Sequence, residues 1–187
     1  MNLPSYIRSI TNPPPEVEAE IMTNIKRQEL LKGNYLYKQG DICRDIFYIE
    51  KGLARVYYYA NNGKEISTWF SLENSFNTAI DGFYYHKSTI YNCKLLENSV
   101  VYSMNYSDFD NLMNKYPEFS KFAFNVMYTI AKQMADFMTN TKFQTAEERF
   151  NALMQDYPFI FQRVSLVHIA SYLGITKETL SRIRAGK

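Results

Sequence analysis

The sequence has only two cysteines, Cys43 and Cys93, single and widely spaced. No cluster of thiols is therefore available to hold an iron–sulfur centre or a structural zinc. Histidine is as scarce: His86 and His168 are the two, too few for a metal site built from converging histidines and carboxylates. No Ser–His–Asp order, Cys–His pair or phosphate-cradling glycine loop is present either. These gaps argue against an enzyme, a haem sensor, a metal site or any resident cofactor. No run of roughly 18 apolar residues exists to span a bilayer, and no basic segment followed by an apolar run opens the chain. The expectation is a reduced, cytoplasmic protein with no membrane partner.

The 187 residues carry 46% hydrophobic side chains, enough for a real core, and the aromatics are plentiful, with 16 Tyr and 13 Phe. Half-buried strands favour such rings for packing reasons alone. Net charge is +2, but it is unevenly spread. Residues 142–187 hold seven Lys or Arg against four acids, a balance of +3, which leaves −1 for residues 1–141. The C-terminal quarter is the basic end, which hints at a polyanionic partner.

The rhythm of the chain changes several times. Pro13 to Pro15 forbid helix just before them, and Val17, Ile21 and Ile25 then recur at fourfold spacing, as on a short amphipathic helix. From Leu31, short β-branched and aromatic runs are broken at Gly33-Asn34, Gly40-Asp41, Lys51-Gly52 and Asn61-Asn62-Gly63. This punctuation predicts antiparallel strands over 31–105, with "ANNGKE" as a hairpin turn. Ser107 is placed as the N-cap of a following helix, with Asp108 and Asp110 in its first turn. After Pro117 comes the longest helical signal. Ala123, Met127, Ile130, Met134 and Phe137 lie at spacings of 4, 3, 4 and 3, a heptad seam suited to pairing with a second copy. A further helix begins near Thr145 and stops at Pro158.

Leu166 to Ala185, "LVHIASYLGITKETLSRIRA", fits a helix-turn-helix. Ile169 and Leu173 are apolar, Ala170 is small where two helices cross, and Gly174 stands at a turn that needs positive φ. Ser165 and Thr176 are placed as N-caps. Ile175, Leu180 and Ile183 supply the packed face of the second helix. Its other face carries Lys177, Glu178, Thr179, Ser181, Arg182 and Arg184, with Glu178 and Arg182 projecting together four residues apart. Arg reads guanine O6 and N7, and Glu accepts from cytosine N4. Ser165, Thr176 and these six residues form the candidate DNA-contacting set.

The glycine-punctuated "LYKQGDICRDIFYIEKGLARVYY" and "ITKETLSRIR", with its Glu-x-x-x-Arg, resemble the Crp/Fnr family of bacterial transcription regulators. The resemblance implies an α+β chain in three segments. They are an effector-type, jelly-roll-like β-roll with flanking helices over 1–115, a dimerisation helix over 116–141, and a DNA-binding domain over 142–187. It also implies a homodimer on double-stranded DNA, contact with RNA polymerase, and a small-molecule effector in the roll. The effector segment would comprise Ala79, Asp81, Gly82, Tyr84, Tyr85, His86, Lys87, Ser88 and Thr89. Cyclic-AMP-binding members carry Gly-Glu there and an Arg before the hydroxyl residue. In this sequence Thr78 and Ala79 stand for Gly-Glu, and Lys87 for the Arg. The ribose acceptor and the bidentate guanidinium are both lost, which points to an effector other than cyclic AMP. No β-hairpin wing follows the second helix, so DNA contact is expected to rest on that helix and what precedes it. The rival reading is a ligand-binding roll whose degenerate helix-turn-helix contacts protein.

Overall fold

The computed structural model describes residues 1–186. Helix α1 (Leu3–Ile10) opens the chain, capped by Asn2, whose side chain accepts from Ser5 N. Helix α2 (Pro15–Thr23) follows, with proline at its first position, where the missing N–H costs nothing. The sequence pattern missed α1 altogether. It also carried α2 on to Ile25, whereas the first strand already begins at Lys26.

Eight strands follow the helices. They are β1 (Lys26–Leu30), β2 (Tyr35–Tyr37), β3 (Asp45–Lys51), β4 (Ala54–Tyr59), β5 (Glu65–Ser71), β6 (Ser75–Asn77), β7 (Asn92–Leu95) and β8 (Ser99–Asn105). A short helix, α3 (Ile80–Phe83), interrupts them between β6 and β7. The strands form two four-stranded sheets, ordered β1-β8-β3-β6 and β2-β7-β4-β5. The expected hairpin joins β4 to β5, its turn closed by Ala60 N donating to Lys64 O at 2.9 Å. The helices beyond are α4 (Tyr106–Lys115), α5 (Pro117–Phe143), α6 (Ala146–Asp156), α7 (Ile160–Arg163), α8 (Leu166–Leu173) and α9 (Lys177–Arg184). The N-cap of α4 is Asn105, not Ser107. The Asn105 side-chain oxygen takes Ser107 N at 2.9 Å and also the Ser107 hydroxyl.

The chain divides into two compact units. The first comprises residues 1–56 and 70–130, the second residues 57–69 and 131–187. The end of the β4–β5 hairpin and the second half of α5 thus belong with the C-terminal helices.

In the first unit, strand alternation separates two faces of the β1-β8-β3-β6 sheet. Tyr48, Tyr102 and Met104 point toward the helices and are buried against Leu3, Ile7, Val17, Ile21, Leu112, Phe119, Phe122 and Val126. Burial of a side chain such as Ile7 or Ile21 stabilises the fold by about 1.5–3 kcal/mol. Rings link the layer: Tyr6 to Tyr48 at 5.4 Å, Tyr48 to Phe76 at 5.0 Å and Phe76 to Phe122 at 5.9 Å. The opposite residues, Phe47, Ile49 and Val101, are buried on the inside of the roll.

Candidate functional site

In the second unit, α8 and α9 form the helix-turn-helix. Ser165 Oγ accepts from His168 N at the start of α8, and Thr176 Oγ1 from Thr179 N at the start of α9. Gly174 takes φ 68°, ψ 30° between them, a left-handed conformation that a Cβ would strain. Ile175 N then returns to Ala170 O at 3.0 Å. Ile169 and Leu180 are fully buried at the crossing and Ala170 lies in its floor. Arg149 of α6, a residue the sequence reading passed over, braces this pair. Its Nε donates to Leu173 O at 3.1 Å and its Nη1 to Gln144 O at 2.6 Å. Leu173 O is one of the carbonyls a helix C-terminus leaves unmatched.

Helix α9 turns Lys177, Glu178, Ser181, Arg182 and Arg184 outward, with Thr179 half-buried. The hydroxyls of Ser165 and Thr176 are occupied as caps, so these two residues shape the motif more than they reach from it. Glu178 and Arg182 do not pair with each other. Arg182 Nη2 reaches back to Thr179 Oγ1 at 3.4 Å. The Glu178 carboxyl is held below its ordinary range by its own backbone N–H, the Thr176 hydroxyl and Lys177. Arg184 is engaged too, its guanidinium lying 4.8 Å from the Phe161 ring centroid.

The second unit also carries a clamp on α8. Ser171 Oγ accepts from Ser67 N at 2.9 Å and donates to Glu65 O at 3.2 Å. Beside it, Phe137 stacks on Tyr172 at 5.2 Å and meets Trp69 at 6.4 Å. Burial pushes the Tyr172 hydroxyl well above its ordinary value.

The segment expected to hold an effector lies in the first unit. Ala79, Gly82 and Thr89 are buried, while Asp81, Tyr84, Tyr85, His86, Lys87 and Ser88 are exposed. Gly82 packs directly on the β2–β3 loop, where an added Cβ would fall 2.5 Å from Cys43 N and 2.7 Å from Cys43 O. His86, at φ 55°, sits edge-on to Tyr106 at 5.0 Å. Inside the roll next to this segment, Tyr37 donates to Asn77 Oδ1 at 2.8 Å and Asn77 Nδ2 to Ser71 Oγ at 2.8 Å. All three side chains are buried. Cys93 and Cys43, both free thiols, lie against Tyr37, whose hydroxyl is pushed well up by burial. This part of the roll is filled by side chains.

Of the five expected seam residues on α5, the structure leaves two outward. Ala123 is buried, Ile130 packs on the first unit's core, and Phe137 is held by Tyr172 and Trp69. Met127 and Met134 are exposed, at 64% and 49%. The exposed apolar residues around them are Phe124, Tyr128 and Met138. Phe124, Met127, Ala131, Met134 and Met138 are spaced 3, 4, 3 and 4, a heptad stripe rotated one residue from the expected seam.

Among the described residues no helix is long and apolar enough to cross a membrane, and no His, Cys, Asp or Glu group of three or more could hold a metal ion. Residues 27–116 match the cyclic nucleotide-binding domain family. The fumarate and nitrate reduction regulatory protein of Escherichia coli (strain K12) is 27% identical over 184 residues, spanning 90% of this chain and 72% of that protein. Its counterpart from Vibrio cholerae is 28% identical over 171 residues, spanning 84% and 67%. The structure of FixK2 from Bradyrhizobium japonicum superposes with a TM-score of 0.74 at 16% identity, covering 87% of this chain and 83% of that one. The Thermus thermophilus catabolite activator protein gives 0.59 at 14% identity, covering 97% and 85%. With a roll of this topology followed by a long helix and a capped helix-turn-helix, the chain has the fold of these regulators, and residues 27–116 are its cyclic nucleotide-binding-type domain.

Proposed function

We propose that the protein is a dimeric transcriptional regulator that reads a two-fold symmetric DNA site with α9. The observation that carries this reading is the outward set Lys177, Glu178, Ser181 and Arg182 on a helix whose inner face is locked by Leu180 and Gly174. A helix of this kind places its N-terminal residues against base edges in the major groove. Arg182 and Glu178 supply base-reading groups and Lys177 a phosphate or base contact. The family's usual homodimer would form along α5, on the Phe124–Met138 stripe. RNA polymerase contact belongs to the same reading.

Selection of DNA from a random pool tests it. Two half-sites related by a two-fold axis, about one helical turn apart, are expected. Affinity should fall linearly on a log–log plot against salt, because neutralised phosphates release counterions. A pool that yields no two-fold element, or binding indifferent to salt, would instead favour a helix-turn-helix that contacts protein.

We further propose that any effector in the roll is not cyclic AMP. Ala79 brings no carboxylate for a ribose, Lys87 faces outward, and Tyr37, Asn77 and Ser71 fill the adjoining interior. Titration calorimetry with cyclic AMP should give no binding heat at physiological concentration.

A further inference from the structure

A groove of about 470 Å³ opens in the first unit, at the side of the roll bounded by the edge strands β1 and β2. Phe47 forms part of its wall. Phe47 pairs with Ser103 of β8 on the groove side and with Asn77 of β6 on the other. No residue of the Tyr37–Asn77–Ser71 cluster or of the 79–89 segment lines the groove.

Its charges are sorted by wall. Lys26 of β1 stands on one side, near Tyr35 of β2, which itself carries Lys38 at 4.9 Å and Lys94 at 5.3 Å from its ring centroid. Asp45 of β3 and Asp108 in the first turn of α4 stand on the other. The register fixes the separation. Lys26 opposes Ser103 while Asp45 opposes Asn105, so the two charges are two strands and two residues apart. That is about 12 Å between Cα atoms. Among the described residues the side chains of Lys26, Gln28, Asp45, Ser103 and Asp108 make no hydrogen bond or ion pair within the protein. A bipolar groove with its polar groups uncommitted suits a ligand that carries both signs.

We propose that this groove binds a small zwitterion, an amino acid or short peptide, with its carboxylate toward Lys26 and its ammonium toward Asp45 and Asp108. The hydroxyl of Ser103, on the strand between them, lies between the poles, and the amide of Gln28 stands beyond Lys26 on β1; both match neutral polar groups of the ligand. A phosphate-bearing ligand would meet the two carboxylates, and a plain polyamine would meet Lys26. Like-charge contact of this kind disfavours both.

The test needs neither DNA nor a dimer, so its outcome is separate from that of the DNA selection. Thermal unfolding of the full chain would be followed with the standard L-amino acids and glycylglycine at millimolar concentration, with glucose, succinate and spermidine as comparisons. At about ten times its Kd, a zwitterion that fits should raise Tm by about 3–6 °C. That shift should be lost in Asp45→Asn and in Lys26→Gln, whose unliganded Tm should stay near that of the parent. The proposal is overturned if no zwitterion shifts Tm, or if the shift survives in both variants. It is equally overturned if glucose, succinate or spermidine stabilises the protein as well as the best zwitterion does.

Discussion

The guanidinium of Arg184 lies 4.8 Å over the ring of Phe161, which ties the last turn of α9 to α7. Phe161 in turn meets Phe150 of α6 at 5.6 Å, so the three helices share one stack. A cation held on an aromatic face contributes about 0.5–2 kcal/mol. Arg184→Ala should therefore lower Tm by a few degrees while leaving the preferred DNA sequence unchanged. Arg182→Ala should do the reverse. Among the described residues the partner of its side chain is Thr179, a long 3.4 Å away, so the fold loses little. Removing a base-reading Arg costs about 1–3 kcal/mol of affinity and relaxes preference at one position. Thermal melts and binding to a library of single-base variants of the selected site check both outcomes. An even loss of affinity across all sequences would place Arg182 on phosphate.

Acid and base should each loosen the first unit through one carboxylate. Glu20 of α2 receives Lys115 Nζ at 2.7 and 2.8 Å and the Tyr116 hydroxyl. The Lys115 and Tyr116 hydrogen bonds lower the Glu20 pKa from 4.5, and the Glu20 bond is the main cause raising the Lys115 pKa above 10.5. A carboxylate with a depressed folded pKa gives stability that is present above the unfolded value and lost as pH falls through the folded one. A raised lysine gives stability that is full below its unfolded pKa and lost as pH rises through the folded one. The contribution should thus be steady between 4.5 and 10.5. The Tm gap between the parent and Glu20→Gln should narrow outside that window at either end. A gap that is constant down to strong acid would show that packing, not charge, is what the substitution removes.

Two glycines carry opposite kinds of constraint, and alanine at each separates them. At Gly174 nothing stands within 4 Å of an added Cβ, but φ is +68°. At Gly82 the backbone is permissive and the Cβ would meet Cys43 at 2.5 Å. Gly174→Ala should destabilise by roughly 1 kcal/mol or a little more, the cost of a side chain at positive φ. Asn, which tolerates this region, should recover part of the loss. Gly82→Ala should cost more, about 1–3 kcal/mol, because backbone must move to admit the methyl, and Asn there should be worse still. Urea unfolding of the four variants measures the contrast.

The sequence carried the strands, the hairpin and the helix-turn-helix because each rests on local chemistry. Gly63 and the asparagines before it make a turn wherever they occur, and Ala170 with Gly174 satisfies two tight points at once. The cap of α4 went astray between Asn105 and Ser107 because either side chain can accept a backbone N–H, and only the path of β8 decides. The free face of α5 was out of reach for a related reason. A phase through Ala123, Ile130 and Phe137 and a phase through Phe124, Ala131 and Met138 are both apolar, and they share Met127 and Met134. Tertiary packing chooses between them. The groove by β1 was hidden because its lining comes from four strands and a helix start between Asn24 and Asp108, a juxtaposition no periodicity records. Arg184 looked like its neighbour Arg182 until Phe161 was seen beneath it.

The rotated stripe on α5 makes dimerisation testable residue by residue. Phe124, Met127, Ala131, Met134 and Met138 fall on one face with heptad spacing, and Phe124 is 69% exposed in the protomer. Apolar side chains left outward along such a stripe gain their burial from a second helix. A residue on a two-fold interface is present twice, so a charge that costs about 2 kcal/mol at each copy raises the dimer Kd by about three decades. Met134→Glu and Met127→Glu should each sediment as folded monomers at micromolar concentration and lose tight binding to the palindromic site. Phe137→Glu, at a position held by Tyr172 and Trp69, should instead lower Tm before it changes association. Monomers from Phe137→Glu with an unchanged Tm, beside dimers from Met138→Glu, a position that only the rotated stripe uses, would return the seam to its original phase.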